Sequence, residues 1–122
     1  MIFSPSRLCR ALVHSLHGMR ATWDSEPAFR LEIFLLIIAL GVAAWLPVTT
    51  AERALLVLSS LMVLGAELVN TAIESTINRI GPEIHPLSKK AKDVGSAVVL
   101  VALFQAVMVW GIVVWPIVSA WT

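Results

Sequence analysis

Three long apolar runs, over residues 33–48, 54–77 and 94–118, restrict what this chain can become more than any other feature. A hydrocarbon core about 30 Å thick is crossed by roughly 20 helical residues. Within it, a helix satisfies its own backbone polar groups, whereas irregular chain does not. The runs therefore read as three membrane-spanning helices. The first run is short, so its helix is expected to begin at Pro27, with Arg30 and Glu32 at headgroup level. Of the 122 residues, 58% are hydrophobic and 14% charged, where a soluble domain is about a quarter charged. No room remains for a separate soluble catalytic domain. The expected architecture is a single all-α membrane domain over residues 1–122, with a surface helix at 6–25 and transmembrane helices at 27–48, 52–80 and 88–121.

Ahead of the spans, Leu8, Leu12, Leu16, Met19 and Trp23 recur at three- and four-residue steps, widened by Cys9 and Val13. Arg7, Arg10, His14, His17 and Arg20 take the opposite side. A helix with one apolar and one basic face is expected to lie in the membrane surface plane. Its polar interruptions argue against a cleavable signal, so the segment is expected to stay in the mature protein. Asp24, Ser25 and Glu26 before Pro27 mark a break and a new helix start, because proline suits the first helical position. The single cysteine, Cys9, excludes an intrachain disulfide and a cysteine metal cage.

Basic residues precede the first span and recur in residues 79–93, read as a polar loop with Gly81, Pro82 and Pro86. Arg79, Lys89, Lys90 and Lys92 lie there, whereas the turn near Thr49 offers only Arg53 beside Glu52. The positive-inside tendency then puts the N-terminus and the 79–93 segment in the cytoplasm and the C-terminus outside. Trp45, Trp115 and Trp121 fall near the outer interface, where indole rings prefer to sit.

Inside the second span, Glu67, Asn70 and Glu74 stand at i, i+3 and i+7, with Thr71 and Asn78 close to the same helix face. At 1.5 Å per residue, Glu67 lies roughly 20 Å inward from the outer end and about 10 Å from the cytoplasmic interface. Ionisable groups at that depth cost several kcal/mol and point to function. Asn70 alone would suit helix-to-helix bonding. Two carboxylates on one face repel, so one must take a proton or a cation must sit between them.

At the start of the third span stand Ser88, Lys89, Lys90, Lys92 and Asp93. A helix N-terminus already carries partial positive charge, so these lysines favour a bound anion such as phosphate. They also serve topology, and the segment alone leaves both readings open. Gly95 and Ser96 permit close approach of a ligand or a helix. Glu26 and Glu32 flank the first span and singly read as solvated or capping residues. His14, His17 and His85 lack zinc-site spacing, and Gln105 suits an interhelical hydrogen bond. Ala39 with Ala43, and Ala102 with Ala106, give small-residue faces that favour oligomers. No phosphate-binding loop or soluble-kinase signature occurs.

The segment Glu67-Leu-Val-Asn70-Thr-Ala-Ile-Glu74, then Asn78-Arg79-Ile-Gly81 and Ala91-Lys92-Asp93-Val-Gly95-Ser96-Ala97, closely resembles the prokaryotic diacylglycerol kinase family. So do Trp23, Glu26, Ala28-Phe29-Arg30 and Glu32. The resemblance runs through nearly the whole chain. It implies a homotrimer of three-span protomers, with sites shared between neighbours, in a bacterial cytoplasmic (inner) membrane. The implied reaction moves the γ-phosphoryl group of Mg-ATP to the hydroxyl of diacylglycerol, giving phosphatidic acid. On the family pattern Glu67 is the general base, held by Asn70, and Glu26 and Glu74 bind the metal. Arg7, Arg10, Gly81, Glu83, His85, Lys92 and Asp93 fall at nucleotide-binding positions, and Glu32, Glu67 and Ser96 at lipid-binding ones. The chain departs from the pattern at Asn78, where the family commonly has an acid, and at His14, where it has an aromatic.

Two rival readings differ in what they require. An undecaprenol kinase shares the same acidic and lysine elements, and His85-Pro86-Leu87 leans towards it. A non-enzymatic proton or ion pathway through Glu67 would need neither Lys92 nor Glu26.

Overall fold

The computed structural model describes residues 4–122, which form four helices: α1 (Pro5–Ser25), α2 (Pro27–Trp45), α3 (Thr50–Ile80) and α4 (Pro86–Ser119). Their ends follow from local chemistry. Ser4 caps α1, its hydroxyl accepting from the Arg7 amide at 3.3 Å, and Pro5 occupies the first turn. Glu26 takes an extended conformation before Pro27, which ends α1 and starts α2. Helix α2 stops at Trp45, three residues before the expected end at 48, because Leu46 is extended ahead of Pro47. Helix α3 begins at Thr50 rather than 52. Thr49 accepts from the Glu52 amide at 3.2 Å, while the Glu52 carboxylate accepts from the Thr49 amide at 3.0 Å, a reciprocal cap.

The polar segment at 79–93 is helical at both ends, as the expected helix bounds at 80 and 88 imply, with α4 starting two residues earlier at Pro86. Only 81–85 interrupt the helices, closing α3 on Gly81 at φ 157°, a backbone region that suits glycine. His85 then caps α4 through Nδ1, which accepts from the Leu87 amide at 3.1 Å, and Pro86 takes the first position. The lysines thus ride on the first turns of a helix. At its far end α4 stops at Ser119, two residues before 121, where the Trp121 amide turns back to the Val118 carbonyl.

Helices α2, α3 and α4, of 19, 31 and 34 residues, are long and apolar enough to cross a membrane. The protein is an all-α membrane protein. Helix α3 packs chiefly on α4 and then on α2. Ala43, Leu46, Leu56 and Val113 form a core near the Thr49 turn. A polar layer crosses the same region: Gln105 donates to the Ser59 carbonyl at 2.8 Å, and the Trp110 indole donates to the Ser60 hydroxyl at 3.0 Å. Ser60 in turn donates to the Leu56 carbonyl at 2.7 Å. The interhelical bonding expected of Gln105 is present. Of the two alanine pairs, Ala43 and Ala102 are buried, and Ala39 and Ala106 half-buried.

Two arginines tie off carbonyls that helix ends leave open. Arg53 donates to the carbonyls of Ala43, Ala44 and Val48. Arg30 reaches back to the Trp23 carbonyl at 2.7 Å and so clamps the α1–α2 junction around Glu26. Helix α1 buries only Thr22 and leaves Leu8, Leu12, Leu16, Met19 and Trp23 exposed, so its apolar stripe is free for a surface outside this chain.

Candidate active site

Helix α3 carries the acid row because its helical repeat stacks residues 67, 70, 74 and 78 along one side. Glu67 and Asn70 are buried, Glu74 is half-buried and Asn78 exposed, so the row climbs out of the helix bundle towards Gly81. Asn70 donates to the Glu74 carboxylate at 3.3 Å. This departs from the expectation that Asn70 holds Glu67, and the reason is conformational. Glu67 and Glu74 lie three residues before and four after Asn70, and its side-chain rotamer selects the second. The amide oxygen of Asn70 is buried without a hydrogen-bond partner.

Glu26 joins this row from another element. It sits between α1 and α2, held by its amide bond to the Thr22 carbonyl at 2.9 Å, and its carboxylate performs no capping hydrogen bond. Glu67 lies in the field of both Glu26 and Glu74, and Glu32 in the field of Glu67. Glu67 thus couples electrostatically to acids on α2, on α3 and at the α1–α2 junction. The ion pairs between described residues, Arg20–Asp24 and Lys89–Asp93, use none of them. Glu32 opens onto a largely apolar groove of about 180 Å³ bounded by Leu36, Ala39, Leu103 and Ala106. One Glu32 carboxylate oxygen is buried and unpartnered.

Beyond Glu74 lies a more polar cleft of about 320 Å³ at the α3–α4 turn. Gly81, Glu83, His85, Lys92 and Asp93 line it together with Asn78. Five of the seven expected nucleotide-binding residues are thus gathered in one place. Arg7 and Arg10 are not among them, since they ride on α1, and Ser96 is exposed on α4 and lines neither the groove nor the cleft. Lys92 donates to Asn78 Oδ1 at 2.8 Å, and Lys89 to Asp93 at 2.6 Å. The Lys92–Asn78 bond escaped the sequence because it spans α3 and α4. The signal that pointed to it was the place of Asn78 on the acid-row face.

Among the described residues no three acid, histidine or cysteine side chains could hold a metal ion by themselves. Magnesium in phosphoryl-transfer sites is held by one or two carboxylates plus substrate phosphates, so an unpaired carboxylate pair fits that chemistry. All oxygen donors in the row are hard, which suits magnesium over softer metals.

Fold and site define a small polytopic membrane protein with a polar cleft where α3 turns into α4. The chain belongs to the prokaryotic diacylglycerol kinase family, whose model matches residues 13–114. A diacylglycerol kinase of Escherichia coli strain K12 is 44% identical over 110 residues, 90% of each chain. One from Pseudomonas aeruginosa is 43% identical over 104 residues, 85% of each chain. A Helicobacter pylori diacylglycerol kinase is 37% identical over 105 residues, 86% of this chain and 82% of its own. The chain is accordingly an enzyme of the kinase class, embedded in a membrane.

Proposed function

We propose that the chain transfers the γ-phosphoryl group of Mg-ATP to the hydroxyl of diacylglycerol, giving phosphatidic acid. The observation that carries this reading is the continuity of one helix face. It runs from the buried Glu67, electrostatically coupled to Glu32 of the apolar groove, through Glu74, to Asn78 in the lysine-bearing cleft at the α3–α4 turn. A lipid hydroxyl and a water-soluble phosphate donor can meet only at such a boundary.

In this reading the lipid enters along the Glu32 groove and presents its hydroxyl to Glu67. Glu67 takes the hydroxyl proton as the lipid oxygen bonds to the γ-phosphorus and the bond to ADP breaks. Lys92 offsets charge on the transferred group, and Asp93, Gly81, Glu83 and His85 shape the nucleotide cleft. Glu26 and Glu74 would hold magnesium, which supplies charge neutralisation on the phosphates when bound. Arg7 and Arg10 on α1 and the exposed Ser96 on α4 line neither the cleft nor the groove, and a neighbouring chain could bring them to a site. That fits a homotrimer with shared sites. The N-terminus and the cleft face the cytoplasm of a bacterial inner membrane, since the lysines gather at that end.

Undecaprenol is the alternative acceptor, favoured by His85-Pro86-Leu87, while the relatives named above favour diacylglycerol. The test is transfer of labelled phosphate from ATP to both lipids, side by side in mixed micelles with magnesium. Diacylglycerol should be labelled and Glu67→Gln should lose about 10²–10⁴ in kcat with assembly intact. Label on neither lipid removes the kinase reading, and near-normal turnover by Glu67→Gln removes the assigned base.

A further inference from the structure

Of the six glycines, Gly18, Gly41, Gly65 and Gly111 have no neighbouring atom within 4 Å of where a Cβ would stand. A Cβ at Gly81 would meet only the flexible Glu83 carboxylate. Gly95 differs. It is buried in α4 against α3, and a Cβ there would lie 2.5 Å from Asn70 Oδ1 and 3.4 Å from Ile73 Cδ1. The Asn70 amide therefore occupies the space that any side chain at position 95 would need.

Asn70 has little freedom to retreat. It is 8% exposed, its nitrogen donates to Glu74 at 3.3 Å, and Ile73 closes the space on the neighbouring turn. Turning the amide away from α4 would break its bond to Glu74 and swing its oxygen from its present place. Shifting α4 instead would disturb the Lys92–Asn78 bond less than one helical turn away.

We propose that Gly95 is a positioning residue for the reaction, its lack of a side chain fixing the Asn70 amide against the acid row between Glu67 and Glu74. This rests on the reading of Glu67 and Glu74 as reacting-centre residues given above. Gly95 itself touches no substrate and acts through Asn70.

The test compares Gly95→Ala with Gly41→Ala and Gly111→Ala in the full-length protein in micelles. Expected for Gly95→Ala is at least a tenfold fall in kcat, with KM for ATP and for diacylglycerol within twofold. In selectively labelled protein the Asn70 side-chain amide resonance should move while the Trp110 indole resonance stays in place. Both control variants should keep kcat within twofold. An unchanged kcat, a tenfold loss without movement of the Asn70 signal, or an equal loss in the controls overturns the proposal. Should Gly95→Ala fail to fold, the Gly95→Ala/Asn70→Ala double variant decides. Recovery of the Trp110 indole signal supports a clash with Asn70, and continued failure to fold rules it out. The amide and indole readouts need no turnover, so they fail separately from the kinase reading, which falls when the wild type labels no lipid.

Discussion

The two ends of the α3–α4 pair handle buried polar groups in opposite ways. Near the Thr49 turn, Ser59, Ser60, Gln105, Trp110 and Arg53 all bond within the chain. Towards the Gly81 turn, Asn70 and Glu32 each keep a buried oxygen without a partner, and Glu67 lies in the field of Glu26 and Glu74. An unmet polar group costs more in a low-dielectric interior than in water. The first end therefore holds the helices in register, and the second leaves polar atoms that nothing within the chain satisfies. The two ends should respond differently to mutation.

Among residues of the cleft, Lys92→Ala should produce the largest effect. On the proposed role of Lys92 in offsetting charge on the transferred phosphoryl group, its removal is expected to lower kcat by about 10²–10³. KM for diacylglycerol should stay within about twofold, because Lys92 lines the nucleotide cleft and not the Glu32 groove. Steady-state assays varying each substrate separately give the answer. Turnover within threefold of wild type would place the essential charge elsewhere in the cleft.

Leu56→Ala probes the closed end. Leu56 is fully buried in the core with Ala43, Leu46 and Val113. The expected loss is about 2 kcal/mol of unfolding free energy, the low end of leucine truncation, since lipid tails solvate apolar groups as well as leucine does. Reversible unfolding in mixed detergent measures it, and both KM values should hold. A kinetic defect larger than the stability defect would show that the two ends are coupled.

Trp110→Phe is milder still. It removes the indole bond to Ser60 and keeps most of the ring. A hydrogen bond between membrane helices averages about 0.6 kcal/mol, so a loss of that order is expected, with kcat unchanged. Measured stability equal to wild type would mean that the polar layer sets register without adding stability.

The same division explains what could be read from sequence. The three spans were legible because apolar runs of that length have one solution in a bilayer. Their ends were harder. Leu46 and the Thr49–Glu52 cap moved two boundaries by two or three residues, and both are local signals of the kind that decide helix ends. The segment at 79–93 was read both as a polar loop and as the lysine-bearing start of the third helix, and the α4 bounds agree with the second reading. The acid row was legible because its spacing lies within one helix. The partner of Asn70 was not, since Glu67 and Glu74 are both within helical reach. The Lys92–Asn78 bond and the Gly95–Asn70 contact depend on the register of α4 against α3, which no single-helix pattern encodes.

Asn78→Asp asks how finely the open end is tuned. Lys92 is held by a neutral amide oxygen here, where the family pattern commonly has an acid. A carboxylate at 78 would pair with the Lys92 ammonium and compete with the nucleotide phosphates for it. The pair lies at an exposed edge of the cleft, so water and salt weaken the competition. KM for ATP is expected to rise by about twofold, with kcat little changed, since exposed pairs contribute about 0.2–1 kcal/mol. The rise should shrink as ionic strength increases, because the interaction being added is a screened one. A fall in KM would mean that the carboxylate orients Lys92 towards the phosphates more than it neutralises it. Asn78 would then be a weaker holder of the lysine, and the open end less finely set than its geometry suggests.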